Sequence, residues 1–269
     1  MAAARADEAE NPLSLGDLAA RLEPDGDALV LHGAAGWMQG RTMYGGASSF
    51  IAHAAARRLF PDLPPLRAAQ IGFVGPVGED IVASAQMLRS GKSVSHVETT
   101  LMCDGALAHR AVWLFGAGRA GNGTVAAEVI DLPILPETAQ TVGMHEFAPA
   151  FTQRMDMRHA LPRGDRSIAI RRWVRLKDRT GLTGEGELIG IGDTLPPGSM
   201  RAMERPGPIS SINWSLTLLG PVPATREGWW LMETRSNHMA DGFSSETLRL
   251  WNSDGLEVMR GLQSVAVFG

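Results

Sequence analysis

The sequence holds a single cysteine, Cys103. An internal disulfide is therefore excluded, and the usage points to a reducing compartment. Cys103 stands before a turn signal and reads as structural rather than nucleophilic. No apolar run reaches the ~18 residues a membrane-spanning helix needs. Residues 1–12 are mostly polar and acidic with no apolar core, so they are expected to be a frayed end rather than a signal peptide. Together these absences predict a cytoplasmic protein. The seven histidines form no H-x-x-x-H pair, and no C-x-x-C exists, so neither a metal nor another cofactor is expected. There is no G-x-S-x-G elbow, which argues against a serine hydrolase of the α/β type. The net charge of −4 carries no basic footprint, so nucleic acid and membrane surfaces are not expected partners. Gly116-Ala-Gly-Arg-Ala-Gly121 matches G-x-G-x-x-G, yet Asn122-Gly123 follows where a helix should continue. It reads as linker, not as a dinucleotide site.

What is present suffices for one large core or two of ordinary size: 269 residues, 44% hydrophobic and 20% charged. Both halves show the same order. A glycine-rich approach, Trp37 to Gly46, leads into Ala47–Leu59, an alanine-rich stretch without proline or glycine that reads as a buried helix. Val94–Met102 alternates as a strand, Asp104-Gly105 signals a tight hairpin, and Leu107–Phe115 returns. Residues 116–138 have no clear period. In the second half Ser167–Lys177 reads as a strand and Gly184–Leu195 as the one helix-like run. Strands follow at Ile209–Leu219, Trp229–Ser236, Ser244–Trp251 and Val258–Phe268. Gly75-Pro-Val77 recurs as Gly220-Pro-Val222, and Asp104-Gly105 as Asp254-Gly255. Two copies of one unit are implied, each a meander over a single helix, an α+β layout. The expected division is 13–120, a linker at 121–144, and 145–269.

Residues 68–119 resemble the first unit of the acyl-CoA thioesterase II family. The apolar strand, the proline turn, Arg89-Ser-Gly-Lys-Ser93 and the Asp-Gly hairpin carry the likeness. Tyr44-Gly45-Gly46 is similar to the Phe-Gly-Gly that opens the family's first helix. Gly190-Ile-Gly-Asp193 resembles its segment with a catalytic aspartate. Ser210 to Ser215 resembles the strand with a catalytic threonine, and Leu262-Gln263 the last strand with a catalytic glutamine. The resemblance implies a double hotdog fold, an acyl-CoA substrate, and Asp193, Ser211 and Gln263 as catalytic residues. It also implies that Tyr44, Gly45 and Gly46 bind substrate. Two departures stand out. Ser211 replaces the usual threonine, keeping a hydroxyl. Pro196-Pro197 follow Asp193 closely and should end the second helix at once.

The residues themselves leave alternatives open. Gln263 shares a strand face with Met259, Gly261, Val265 and Val267. Counting on from each Asp-Gly pairs it with Trp113, so the second half has an amide where the first has a bulky plug. It is either a core glutamine bonded to backbone or a site residue. Asp193 closes an apolar run and is either a turn former or a buried base. Ser211 falls in phase with Asn213, Ser215 and Thr217, opposite the apolar Ile212, Trp214, Leu216 and Leu218, and its bland reading is a solvated serine. The implied chemistry is water attack on the thioester without a covalent intermediate; Gly45 and Gly46 either supply helix N-terminal amides to the oxyanion or only let the helix enter the sheet. The alternative is a non-catalytic binder of acyl-CoA or acyl-lipid. A role in lipid metabolism and a homodimer of the double unit follow from the fold by analogy.

Overall fold

Alanine-rich, breaker-free sequence forms the central helix of the first half, and Phe60-Pro61 stops it. The computed structural model describes residues 13–143, 148–162 and 164–268. The expected fraying of residues 1–12 and the expected start of the second unit at 145 lie outside the described residues. A capped helix α1 (Leu15–Ala20) precedes strands β1 (Glu23–Asp25) and β2 (Ala28–Leu31) and a short ribbon, β3 (Met38–Gln39) and β4 (Thr42–Met43). Helix α2 (Gly45–Leu59) follows, then a meander of β5 (Leu66–Phe73), β6 (Ile81–Ser90), β7 (Val94–Cys103) and β8 (Ala106–Gly116). The second half repeats the order: β9 (Met155–His159), β10 (Ala169–Leu176), helix α3 (Gly184–Ile191), then β11 (Ile209–Leu218), β12 (Trp230–Ala240), β13 (Phe243–Trp251) and β14 (Glu257–Val267).

All twelve strands outside the ribbon form one antiparallel sheet in the order β1-β2-β6-β7-β8-β5-β11-β14-β13-β12-β10-β9. The two halves join edge to edge where β5 pairs with β11, so that each covers the other's open edge. Helix α2 lies against β6, β7 and β8 and meets α3 across the centre. Its alanines at 47, 52, 55 and 56 are buried and let it sit close to the sheet. Glu185, in the first turn of α3, ties the helices together: it pairs with Arg57 at 2.6 Å and accepts the Leu66 amide at 2.7 Å. This is an α+β double hotdog. The second helix is only eight residues long, as the double proline predicts.

The five rungs joining β5 to β11 are centred on Gln70 opposite Ser215. Superposing the halves about that rung puts Ala69 on Trp214, and their partners, Trp113 and Gln263, on each other. Each half therefore fills this level with one tryptophan, but from opposite strands, and only the second half leaves an amide there.

Residues 117–143 contain no strand or helix, yet part of the segment lies against the second half of the sheet. Val129 bridges Leu256, the Trp173 indole donates to the Ile134 carbonyl at 2.9 Å, and Ile130 and Leu132 cover a small core of Trp173, Trp229 and Trp251. No described helix is long and apolar enough to cross a membrane.

Candidate active site

The end of α3 aims a carboxylate at the centre of the molecule. Thr183 caps the helix start, its hydroxyl accepting the Gly186 amide at 3.1 Å. Gly192 then closes the helix against Trp214. A side chain at 192 would meet the indole 2.6 Å away, so close packing requires glycine. The Thr194 hydroxyl donates to the Ile191 carbonyl at 2.7 Å and contacts the Tyr44 hydroxyl at 3.0 Å. Asp193 is thus held from both sides, in the wall of a cavity of about 990 Å³.

Gln263 comes to it from β14. Its side chain lies on the inner face, 4% exposed, and its amide nitrogen donates to Asp193 Oδ1 at 2.5 Å. Ser211 completes the group: its hydroxyl donates to Gln263 Oε1 at 3.5 Å, a long bond, and it lines the same cavity. The strand phase read from sequence pointed Ser211 outward. A β-bulge between Ser211 and Asn213 corrects this. Ile212 is the extra residue and stands 40% exposed, while Ser211 falls opposite the buried Val265 on the inner face.

Of Tyr44, Gly45 and Gly46, Gly45 alone lines the cavity. A side chain there would lie 2.3 Å from Asp193 Oδ2, so the carboxylate rests directly on the first turn of α2. Tyr44 and Gly46, also expected beside the substrate, are not among the residues that line this cavity. Tyr44 is fully buried, stacks on Phe151 at 4.1 Å and donates to the Gly190 carbonyl at 3.0 Å. Gly46 lies against that tyrosine and that carbonyl. Both join α2 to α3 by backbone and ring contacts.

Burial dominates the electrostatics. Asp193 is half-buried, with part of its surface open to the cavity. Burial raises its pKa from 3.8 to about 7, against the opposing pull of the Gln263 hydrogen bond. A carboxylate poised near neutrality can take a proton from water. The first amides of α2 have no carbonyl partner within the helix and form an electropositive end beside it. The cavity's remaining wall is largely apolar, with Met43, Phe73, Val77, Phe151, Met157 and Leu195. Among the described residues no cluster of metal-ligating side chains exists.

One supporting residue escaped the sequence reading. Glu246 is fully buried on β13, opposite Gln263. Its carboxylate accepts the amides of Gly198 and Ser199 at 2.9 and 3.2 Å and the Ser244 hydroxyl at 2.5 Å. It clamps the loop after Asp193. The signal was present: in Ser244–Trp251 this acid shares the apolar phase with Leu248 and Leu250.

The family model of the acyl-CoA thioesterase C-terminal domain matches residues 130–267, and that of the N-terminal domain matches residues 34–116. Among solved structures, a hot dog fold protein of unknown function from Alicyclobacillus acidocaldarius is 21% identical, with a TM-score of 0.81 over 96% of this chain and 99% of the other. A tesB protein from Mycobacterium avium subspecies paratuberculosis is 17% identical, with a TM-score of 0.77 over 95% and 100%. An acyl-CoA thioesterase II from Mycobacterium marinum is 13% identical, with a TM-score of 0.74 over 95% and 98%. A search of curated proteins found no match.

Proposed function

Because the chain belongs to the acyl-CoA thioesterase family, we propose that it hydrolyses acyl-CoA thioesters at the Asp193–Gln263–Ser211 cluster, by water attack without a covalent acyl-enzyme. The observation that carries this reading is the 2.5 Å bond from Gln263 to a half-buried Asp193 whose pKa lies at about 7. The ionised carboxylate is the base for one water. Gln263 fixes the carboxylate, and with Ser211 it orients that water toward the thioester carbon. As the tetrahedral oxyanion forms, the free amides at the start of α2, Gly45 first, donate to it. The proton on Asp193 then passes to the leaving thiolate, so the group returns to its starting state. The apolar wall takes the acyl chain. We assign the boundary between the two units to residues 121–144.

Free-thiol release from a panel of acyl-CoA substrates tests the reading. Turnover by the native protein is expected, with a loss of about 10²–10⁴-fold in Asp193→Asn, the range of general acid–base catalysis. Gln263→Ala should lower kcat more than it raises KM. Tight binding of acyl-CoA without turnover would instead make the protein a binder. Turnover unaltered in both variants would place the chemistry elsewhere.

A further inference from the structure

Strand β10 carries two adjacent arginines in different surroundings. Arg171 pairs with Glu233 at 2.6 Å and lies over the Trp251 ring. Arg172 has neither an acidic partner nor a hydrogen-bond acceptor among the described residues. Its cross-strand neighbours are His159 and Met232, and burial alone pulls its pKa below the usual arginine range. It lines the 990 Å³ cavity that holds Asp193 and Ser211. It also lines a second cavity of about 780 Å³ on its other side. That second space contains Arg201 too, but Arg201 is paired with Asp165 at 3.3 Å. Arg41, the other cation on the catalytic cavity, is exposed.

A guanidinium withdrawn from water without a counter-charge is costly. The cost is offset when a ligand brings the missing anion. The planar fork of donors fits one carboxylate in two parallel bonds, and apolar surroundings strengthen them. The diphosphate and ribose phosphate of CoA carry several charges and want several free cations. Here the two arginines beside Arg172 are already neutralised by Glu233 and Asp165.

We propose that Arg172 binds a single oxyanion of the substrate, the carboxylate at the far end of an acyl chain, so that this protein takes ω-carboxyacyl thioesters. The proposal rests on the thioester reading above and names its substrate class. It gives one cavity two chemically distinct groups, a water-activating carboxylate and a carboxylate receptor.

Non-hydrolysable thioethers test it independently of catalysis. A series of S-alkyl-CoA thioethers of increasing length, ended by a methyl group or by a carboxylate, is titrated calorimetrically against the native protein. The same is done with Arg172→Gln and Arg172→Lys, and the series is repeated on N-acetylcysteamine, which has no phosphate. At one chain length the native protein should prefer the carboxylate over the methyl end by about tenfold or more, the worth of a charge-assisted bond. That ratio should collapse in Arg172→Gln on both carriers, with Arg172→Lys in between. If substitution instead erases a preference for CoA over N-acetylcysteamine, whatever the chain end, the anion is a CoA phosphate and the assignment is overturned. If neither ratio moves, Arg172 binds no substrate anion. Failure of hydrolysis with an intact carboxylate preference would sink the proposed activity and leave this inference standing.

Discussion

Replacing Asp193 by asparagine removes one ionisable group from the cavity and keeps its shape, including an acceptor for Gln263. Consider first what the native carboxylate costs. Its pKa is 3.8 in the unfolded chain and about 7 in the fold, so the folded state holds the proton more tightly. Stability is therefore greatest below pH ~4 and declines as pH rises through the folded value, a loss complete by about pH 8. At 1.36 kcal/mol per pH unit the separation is worth ~4 kcal/mol. The carboxylate is partly open to the cavity, which discounts this to an expected loss of about 2–4 kcal/mol. The asparagine variant has no such loss. Thermal unfolding of the two proteins across the pH range reads the difference directly. They should melt together below pH ~4 and separate progressively between pH ~4 and ~7, the variant gaining about 2–4 °C per kcal/mol. The same titration should govern activity: native kcat/KM should climb through pH about 7 to a plateau, because the ionised carboxylate is the active form. A melting difference that stays flat with pH, or a native protein that gains on the variant as pH rises, would refute the argument from burial.

Two further substitutions probe the supports. Gly45→Ala puts a methyl group 2.3 Å from the Asp193 carboxylate and 3.0 Å from the Phe73 ring; kcat/KM should fall about 10²-fold from displacement, while circular dichroism shows the fold kept and melting a loss of about 1–3 kcal/mol from overpacking. Glu246→Ala strips the acceptor from two loop amides and the Ser244 hydroxyl. Denaturant titration should show a loss of about 2–4 kcal/mol, with the loop after Asp193 becoming the first segment to exchange its amides.

The pattern of apolar and breaking residues determined much of this molecule by itself. Local chemistry decides whether a stretch coils or extends, so α2, the β7–β8 hairpin and the meander of the second half were legible, as was the doubling of one unit. The prolines at 196 and 197 announced a short second helix. Strands β1, β2 and β9 were not legible, because they are short or at sheet edges and draw their order from partners far along the chain. Asp193 and Gln263 were named from a resemblance, but their meeting depends on β14 crossing beneath the end of α3, which no local pattern encodes. Ser211 shows the limit most clearly: strict alternation turned it to solvent, and one bulged residue, Ile212, turned it inward. Tertiary structure also decided the electrostatics. An aspartate after a helix is ordinary in sequence. Only the packing of α2, Trp214 and the cavity walls around it withdraws it from water and raises its pKa, and only the same packing leaves Arg172 without a counter-charge.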